Sequence, residues 1–209
     1  MPNPTAMTQP LPARSPSPCP ARRPTLVLAG LALAALPLSA PAAVRADSPA
    51  RKASTFGSGA GNILFLAAGV GLPLLSDGHD GKNHALRAAD ALGTSVLLAE
   101  GIKALVREKR PDSNAHDSFP SGHATAAFAV ATVEGSLHPK QAPLWYLGAA
   151  LISYSRVRLH RHTTGDVLAG AALGFGVSKL ELSQPRGLLL SPFITPGGDG
   201  VGLQMTRGL

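Results

Sequence analysis

The sequence predicts an all-α protein, an antiparallel bundle of about five to six helices with a short C-terminal β-hairpin. Three observations carry that prediction. Five apolar segments, each 12 to 21 residues long, lie between positions 62 and 180. The longest, Leu86 to Val106, has apolar residues at 92, 96, 99, 102 and 106, a spacing that traces one helical face. The alternation a strand needs is absent until Leu188.

Taken in order, residues 1–46 read as a segment apart. Eleven of the 19 prolines fall in the first fifty positions, and the only charged side chains before Asp47 are Arg14, Arg22, Arg23 and Arg45. Arg22 and Arg23 precede an uncharged run from Thr25 to Ala40, and small residues follow it. That is the order of a secretory signal, with cleavage after Ala42 or Ala46. Pro37 favours this over the alternative, a retained first membrane helix. Cys19 lies upstream of the run, so a cleaved chain has no cysteine and no thiol chemistry. The expected localisation is exported: periplasmic or on the outer face of the cytoplasmic membrane, with an integral membrane form as the alternative.

Residues 47–60 are small and polar and read as a flexible lead-in. The helical domain follows over 61–182. Its first segment, Asn62 to Leu75, is ended by a loop rich in Gly and Asp, Ser76 to His84. Residues 77–81 faintly suggest calcium but lack the further ligands of a calcium loop, so they read as a turn. After Leu86–Val106 come Gly122 to Gly135, Pro143 to Tyr154 and Val167 to Leu180. The extension 183–209 holds the expected hairpin, with Leu188–Thr195 and Val201–Thr206 flanking a turn at Gly197–Gly200. Segments of 12 to 14 residues reach only about 18 to 21 Å, against a hydrocarbon core of about 30 Å. The longer helix carries Arg87, Asp90 and Glu100, which are costly in lipid. A compact bundle on a membrane surface and a thin integral protein both fit.

The formal charge of +7 does not indicate nucleic acid. After position 46 the balance is 15 basic to 12 acidic residues, and nine aromatics in the whole chain leave no stacking platform. The basic residues are instead concentrated. Seven of those 15 occupy the fourteen positions 103–110 and 156–161, where Glu108 is the one carboxylate.

Three clusters bear chemistry. Lys103 and Arg110 stand seven apart, two helical turns, so they share a face, and Pro111 ends the helix beyond them. Two cations so placed suit a phosphate. Phe119-Pro120-Ser121-Gly122-His123 opens the next helix with Ser as N-cap and Gly for close approach, a natural anion site. His123 in its first turn is placed to give an adjacent anion a proton. In the third cluster, Ser155 to Asp166, His162 and Asp166 are four apart, so a carboxylate can fix one imidazole nitrogen and free the other for attack. His160 is the rival, without an acid three or four residues on. Antiparallel packing of consecutive helices brings all three clusters to one end of the bundle. A metal centre asks for several convergent His and acidic ligands, so this composition favours metal-free chemistry, with no cofactor.

Lys103-x6-Arg110-Pro111, then Pro120-Ser121-Gly122-His123, then Ser155-Arg156-x5-His162-x3-Asp166, together resemble the type 2 phosphatidic acid phosphatases. These are kin to bacterial acid phosphatases and vanadium-dependent haloperoxidases. The resemblance covers about residues 60 to 181. It implies a helical bundle in which His162 is the nucleophile, Asp166 its orienting partner and His123 the acid for the leaving group. It further implies phosphate contacts from Lys103, Arg110, Ser121, Gly122 and Arg156. The expected function is a metal-independent phosphatase acting through a phosphohistidine on a phosphorylated small molecule or lipid, in association with a membrane. A vanadate-dependent haloperoxidase and a non-catalytic envelope phosphate-binding protein are the alternatives.

Overall fold

The computed structural model describes residues 48–184, and of the C-terminal stretch only the backbone of 190–194 and 201–205. Six α-helices follow one another in the described residues: α1 Pro49–Ser58, α2 Ala60–Ser76, α3 Gly81–Val106, α4 Gly122–Leu137, α5 Ala142–Arg158 and α6 Thr164–Ser183. The all-α class holds. The signal-like segment 1–46 lies outside the described residues. Of the expected hairpin, only the extended segments Leu190–Ile194 and Val201–Met205 are described, and its turn lies outside them.

Two helix starts differ most from the sequence-based expectation. The lead-in expected over 47–60 forms α1 from Pro49 onward. Ser48 caps it, its Oγ accepting from the N–H of Arg51 at 3.2 Å, and Pro49 occupies the first turn, where no N–H is missed. Helix α3 begins at Gly81 rather than near Leu86, leaving Asp77–Asp80 to connect it to α2. Gly81 is required there: a Cβ at that position would stand 2.2 Å from the Pro73 carbonyl oxygen.

Helix α4 is the axis of the fold and packs against α2, α3, α5 and α6. Its residues Ala124 to Glu134 are buried without interruption, so it has no solvent face. Against α6 the two backbones approach closely. A Cβ at Gly170 would lie 2.5 Å from the Ser121 carbonyl oxygen, and one at Gly174 2.2 Å from that of Thr125. The main core joins Phe128 and Val130 of α4 to Trp145 and Ile152 of α5, with Phe65 of α2 edge-on to Trp145 at 5.2 Å.

Helix α3 buries a line of small residues, Ala88, Ala91, Ser95 and Ala99. Of the expected face, Ala99 is buried, Leu92, Val96 and Ile102 are half-buried and Val106 is exposed, as are Leu97 and Leu105. Small residues inside and leucines outside let helices approach closely, in water or in lipid. Two of the charges on α3 turn inward: Arg87 Nε donates to the buried Glu181 at 2.9 Å and Asp90 is buried, whereas Glu100, which meets Lys103, is exposed. Among the described residues no single helix is long and apolar enough to cross a membrane. By length and composition only the pair α1–α2, bent by 42°, could do so.

Candidate active site

Four helix ends converge: the C-termini of α3 and α5 and the N-termini of α4 and α6. The fold brings the three clusters together by direct contacts. The N–H of Ser121 donates to the Asp166 carbonyl at 2.9 Å. A Cβ on Gly122 would lie 3.1 Å from Lys103 Nζ, so the missing side chain is what admits the ammonium to the start of α4. Arg156, Lys103 and His162 each act electrostatically on His123, and Arg156 and Arg110 on His162.

His162 is 3% exposed and sits in the turn before α6. Its Nδ1 lies 2.9 Å from the Ser118 carbonyl oxygen. A carbonyl only accepts, so Nδ1 carries the proton, and in the neutral ring Nε2 carries a lone pair. The expected orienting partner, Asp166, is farther away, with Oδ2 at 3.6 Å from Nδ1. Its carboxylate is spent one step back. Oδ2 accepts from the Ser118 hydroxyl at 2.5 Å and from the Thr163 N–H at 2.8 Å, while the Asp166 N–H donates to Thr163 Oγ1. The i,i+4 spacing thus serves a capping box that opens α6 and also tethers Ser118, whose carbonyl aims the imidazole. The rival His160 is exposed, in a turn with φ of 56°.

Burial, then Arg156 and Arg110, push the His162 imidazole down to about 4. Burial, then Arg156, likewise push His123 to about 4, and its Nε2 lies 3.1 Å from the Ser58 carbonyl at the end of α1. Both rings are neutral at pH 7. Arg156 donates through Nη1 to the Ser58 hydroxyl, while its Nε is buried without a hydrogen-bond partner. Burial and the neighbouring cations Arg110 and Arg161 lower its pKa to about 10. Ser121 holds the N-cap position of α4, but its hydroxyl makes no capping bond and is buried unpartnered. Two donors thus stand desolvated and unused, which is costly unless a ligand takes them.

Lys103 and Arg110 do not share a helical face, contrary to the spacing argument. Helix α3 stops at Val106, with Arg107 left-handed at φ of 51°, and Arg110 lies on the loop beyond. Nor is the cradle free of acids. Arg110 donates twice to Asp117, at 2.7 and 2.9 Å, Lys103 meets Glu100, and Arg161 lies 3.2 Å from Asp112. These carboxylates stand just outside the stretches in which basic residues concentrate. Burial would raise the Asp117 carboxyl, but Arg110 and Lys103 outweigh it and hold the group low. Beside the site, a cavity of about 380 Å³ is lined by Arg51, Ser58, Arg156 and Arg161 among others.

The model of the PAP2 superfamily matches residues 84–188, half of the chain, and includes all three clusters. The chain belongs to the PAP2 superfamily. A lipid A 1-phosphatase from Porphyromonas gingivalis is 34% identical over 125 residues, 57% of this chain and 27% of that protein. The match thus spans about a quarter of that relative's length. The crystal structure of Aquifex aeolicus LpxE resembles this fold with a TM-score of 0.51 and 24% identity, over 66% of this chain and 89% of that one.

Proposed function

We propose that this PAP2 protein is an exported, metal-independent phosphatase that hydrolyses lipid phosphates, or phosphomonoesters of similar shape, through a phosphohistidine. The observation that carries the proposal is His162, buried and neutral, with Nδ1 held by Ser118 so that Nε2 offers its lone pair beside Arg156. Nε2 attacks phosphorus in line, and the bond to the leaving oxygen breaks with its electron pair. His123 delivers a proton to that oxygen. Water then attacks phosphorus, the P–N bond breaks with its pair returning to Nε2, and the water proton recharges His123.

Lys103, Arg156, the free Ser121 hydroxyl and the first N–H groups of α4, beginning with Gly122, hold the equatorial oxygens. Arg110 joins them when phosphate competes with Asp117 for its fork. His123 is uncharged in the free protein, and a bound phosphate dianion offsets Arg156 and Lys103, raising its proton affinity. The substrate itself thus charges the acid. Support for a lipid comes from the name of the curated relative and from the leucines exposed on α2, α3 and α5. Together they suit a peripheral enzyme at the outer membrane face.

The deciding assay compares a lipid phosphate, a polyprenyl pyrophosphate and a soluble phosphomonoester with and without chelator, below the melting temperature. Turnover should survive chelation and be inhibited by vanadate, with the lipid phosphate preferred. Activity lost to chelator and restored by magnesium or zinc would overturn the mechanism.

A further inference from the structure

At the end of the bundle away from His162, two more histidines meet two carboxylates. Asp77 follows α2, His84 lies in the first turn of α3, and Glu134 and His138 close α4. Along α3, His84 is 19 residues from Lys103, about 28 Å, and along α4 His138 is 15 residues from His123, about 22 Å. The two groups are separate. His84 Nδ1 stands 2.7 Å from Asp77 Oδ2, and His138 Nε2 stands 3.0 Å from the same oxygen. The three donor atoms all lie within 4.8 Å of one another. The other nitrogen of His138, Nδ1, faces Glu134 Oε2 at 3.2 Å.

We propose that Asp77, His84 and His138 form a binding site for a first-row divalent cation, zinc by its donor set, with Glu134 as the outer carboxylate that orients His138. Proton arithmetic supports this. A neutral His138 carries one N–H, yet both its nitrogens face carboxylate oxygens, so protons alone satisfy the cluster only by adding charge to the ring or protonating an acid. A bound cation satisfies the same atoms with a neutral ring and both acids charged. His84 Nδ1, His138 Nε2 and Asp77 Oδ2 then offer lone pairs, and His138 Nδ1–H donates to Glu134, the usual carboxylate–histidine–metal arrangement. Tetrahedral zinc places its ligands about 3.3 Å apart, so Asp77 Oδ2, at 2.7 and 3.0 Å from the two nitrogens, would move outward as the three donors close around the ion.

Geometry and field agree. The side chains of His84 and His138 are 26% and 23% exposed, leaving an open side for a water ligand. The negative C-terminal ends of α2 and α4 both point at the cluster, against one N-terminus, that of α3. Two imidazoles with one inner carboxylate suit zinc, cobalt or nickel, whereas calcium and magnesium prefer all-oxygen shells. The ion would pin the α2–α3 connection to the end of α4, a structural clasp with no part in phosphoryl transfer.

The test is titration of the chelator-treated full-length protein with zinc chloride, by calorimetry and thermal melting. One ion per chain is expected, with Tm raised by about 5–10 °C at a free zinc concentration of about 100 times Kd. Glu134→Ala should weaken binding by about 10- to 100-fold, and His84→Ala or His138→Ala by more. The double substitution His123→Ala/His162→Ala should leave it intact. Should the histidine variants misfold, the unaltered chain gives the same answer, because zinc should protect His84 and His138 from carbethoxylation, read by peptide mass spectrometry. No binding, binding unchanged in the His84→Ala/His138→Ala double variant, or protection confined to His123 and His162 would each refute the site.

Discussion

The two ends of the bundle hold the same residue type in opposite company. At one end His123 and His162 face Arg156, with Lys103 and Arg110 near. At the other, His84 and His138 face Asp77 and Glu134. Burial and then the neighbouring cations keep the first pair neutral, at about 4. Hydrogen bonding from His84 and Ser76, and then His138, holds the Asp77 carboxyl down to about 2, so that it stays a charged acceptor. Helix α4 serves both sites, its N-terminus carrying Ser121–His123 and its C-terminus Glu134–His138. One helix dipole favours an anion at its start and a cation at its end. The lesson is that a histidine's role is set by its neighbours.

Substituting histidines is the sharpest way to break this comparison. His162→Ala should reduce turnover to background and abolish any phosphoenzyme for every substrate. His123→Ala should cost about 10²–10⁴-fold with an alkyl phosphate but far less with a nitrophenyl ester, whose phenolate leaves unaided. Quenching that variant without acid should still trap phosphate on His162. Equal losses with both substrates and no trapped phosphate would mean that the two rings do not divide the work as argued. His84→Ala and His138→Ala should leave kcat within about twofold, assayed well below their melting temperatures.

A smaller effect comes from Arg156, the buried donor whose Nε is unpartnered. Arg156→Ala should lower kcat by about 10²–10³-fold, the usual cost of one preorganised donor. Arg156→Lys should recover only part of this, since an ammonium restores charge but not the fork. A loss confined to KM would show that Arg156 binds ground state and transition state alike.

Much of this was legible in the sequence. The helical class, five of the six helices and the gathering of three clusters at one end follow from apolar segments and from where the motifs interrupt them. Helix α1 was missed although Ser48-Pro49 is a cap followed by a first-turn proline, because the segment is short and polar, with Phe56 its one large apolar side chain. Only Ala99 of the buried line on α3 was marked from the sequence, because Ala and Ser pack inside while leucines stay outside, reversing the size rule that periodicity relies on. At the site, the His162–Asp166 spacing pointed to two residues that the fold does bring together, at 3.6 Å, but not to the contact that orients the ring. The carbonyl of Ser118 orients the ring, and a backbone acceptor leaves no trace in residue identity. The acids that pair with Lys103, Arg110 and Arg161 were overlooked because they lie outside the basic stretches. The Asp77 cluster joins residues 61 positions apart, beyond the reach of any local pattern.

The smallest expected effect concerns stability against pH, and it treats the two ends separately. The imidazoles of His123 and His162 fall from 6.5 unfolded to about 4 folded. Between those values the unfolded chain binds more protons, so stability is full above pH 6.5, declines toward pH 4 and then levels off. Asp77 falls from 3.8 to about 2, so its contribution persists above pH 3.8 and is lost on further acidification toward pH 2. Burial raises the Glu134 and Glu181 carboxyls, which opposes the histidine slope above pH 4.5, so the informative quantity is a difference between variants. Melting curves across pH 7 to 2.5 in the presence of chelator should lose a few degrees of Tm in the histidine window and decline further in the lower one. His123→Asn/His162→Asn should flatten the window from 6.5 to 4 and spare the lower one. Asp77→Asn should do the reverse. If the histidine variant keeps the same slope above pH 4, those imidazoles are not held neutral, and the contrast between the two ends loses its electrostatic basis.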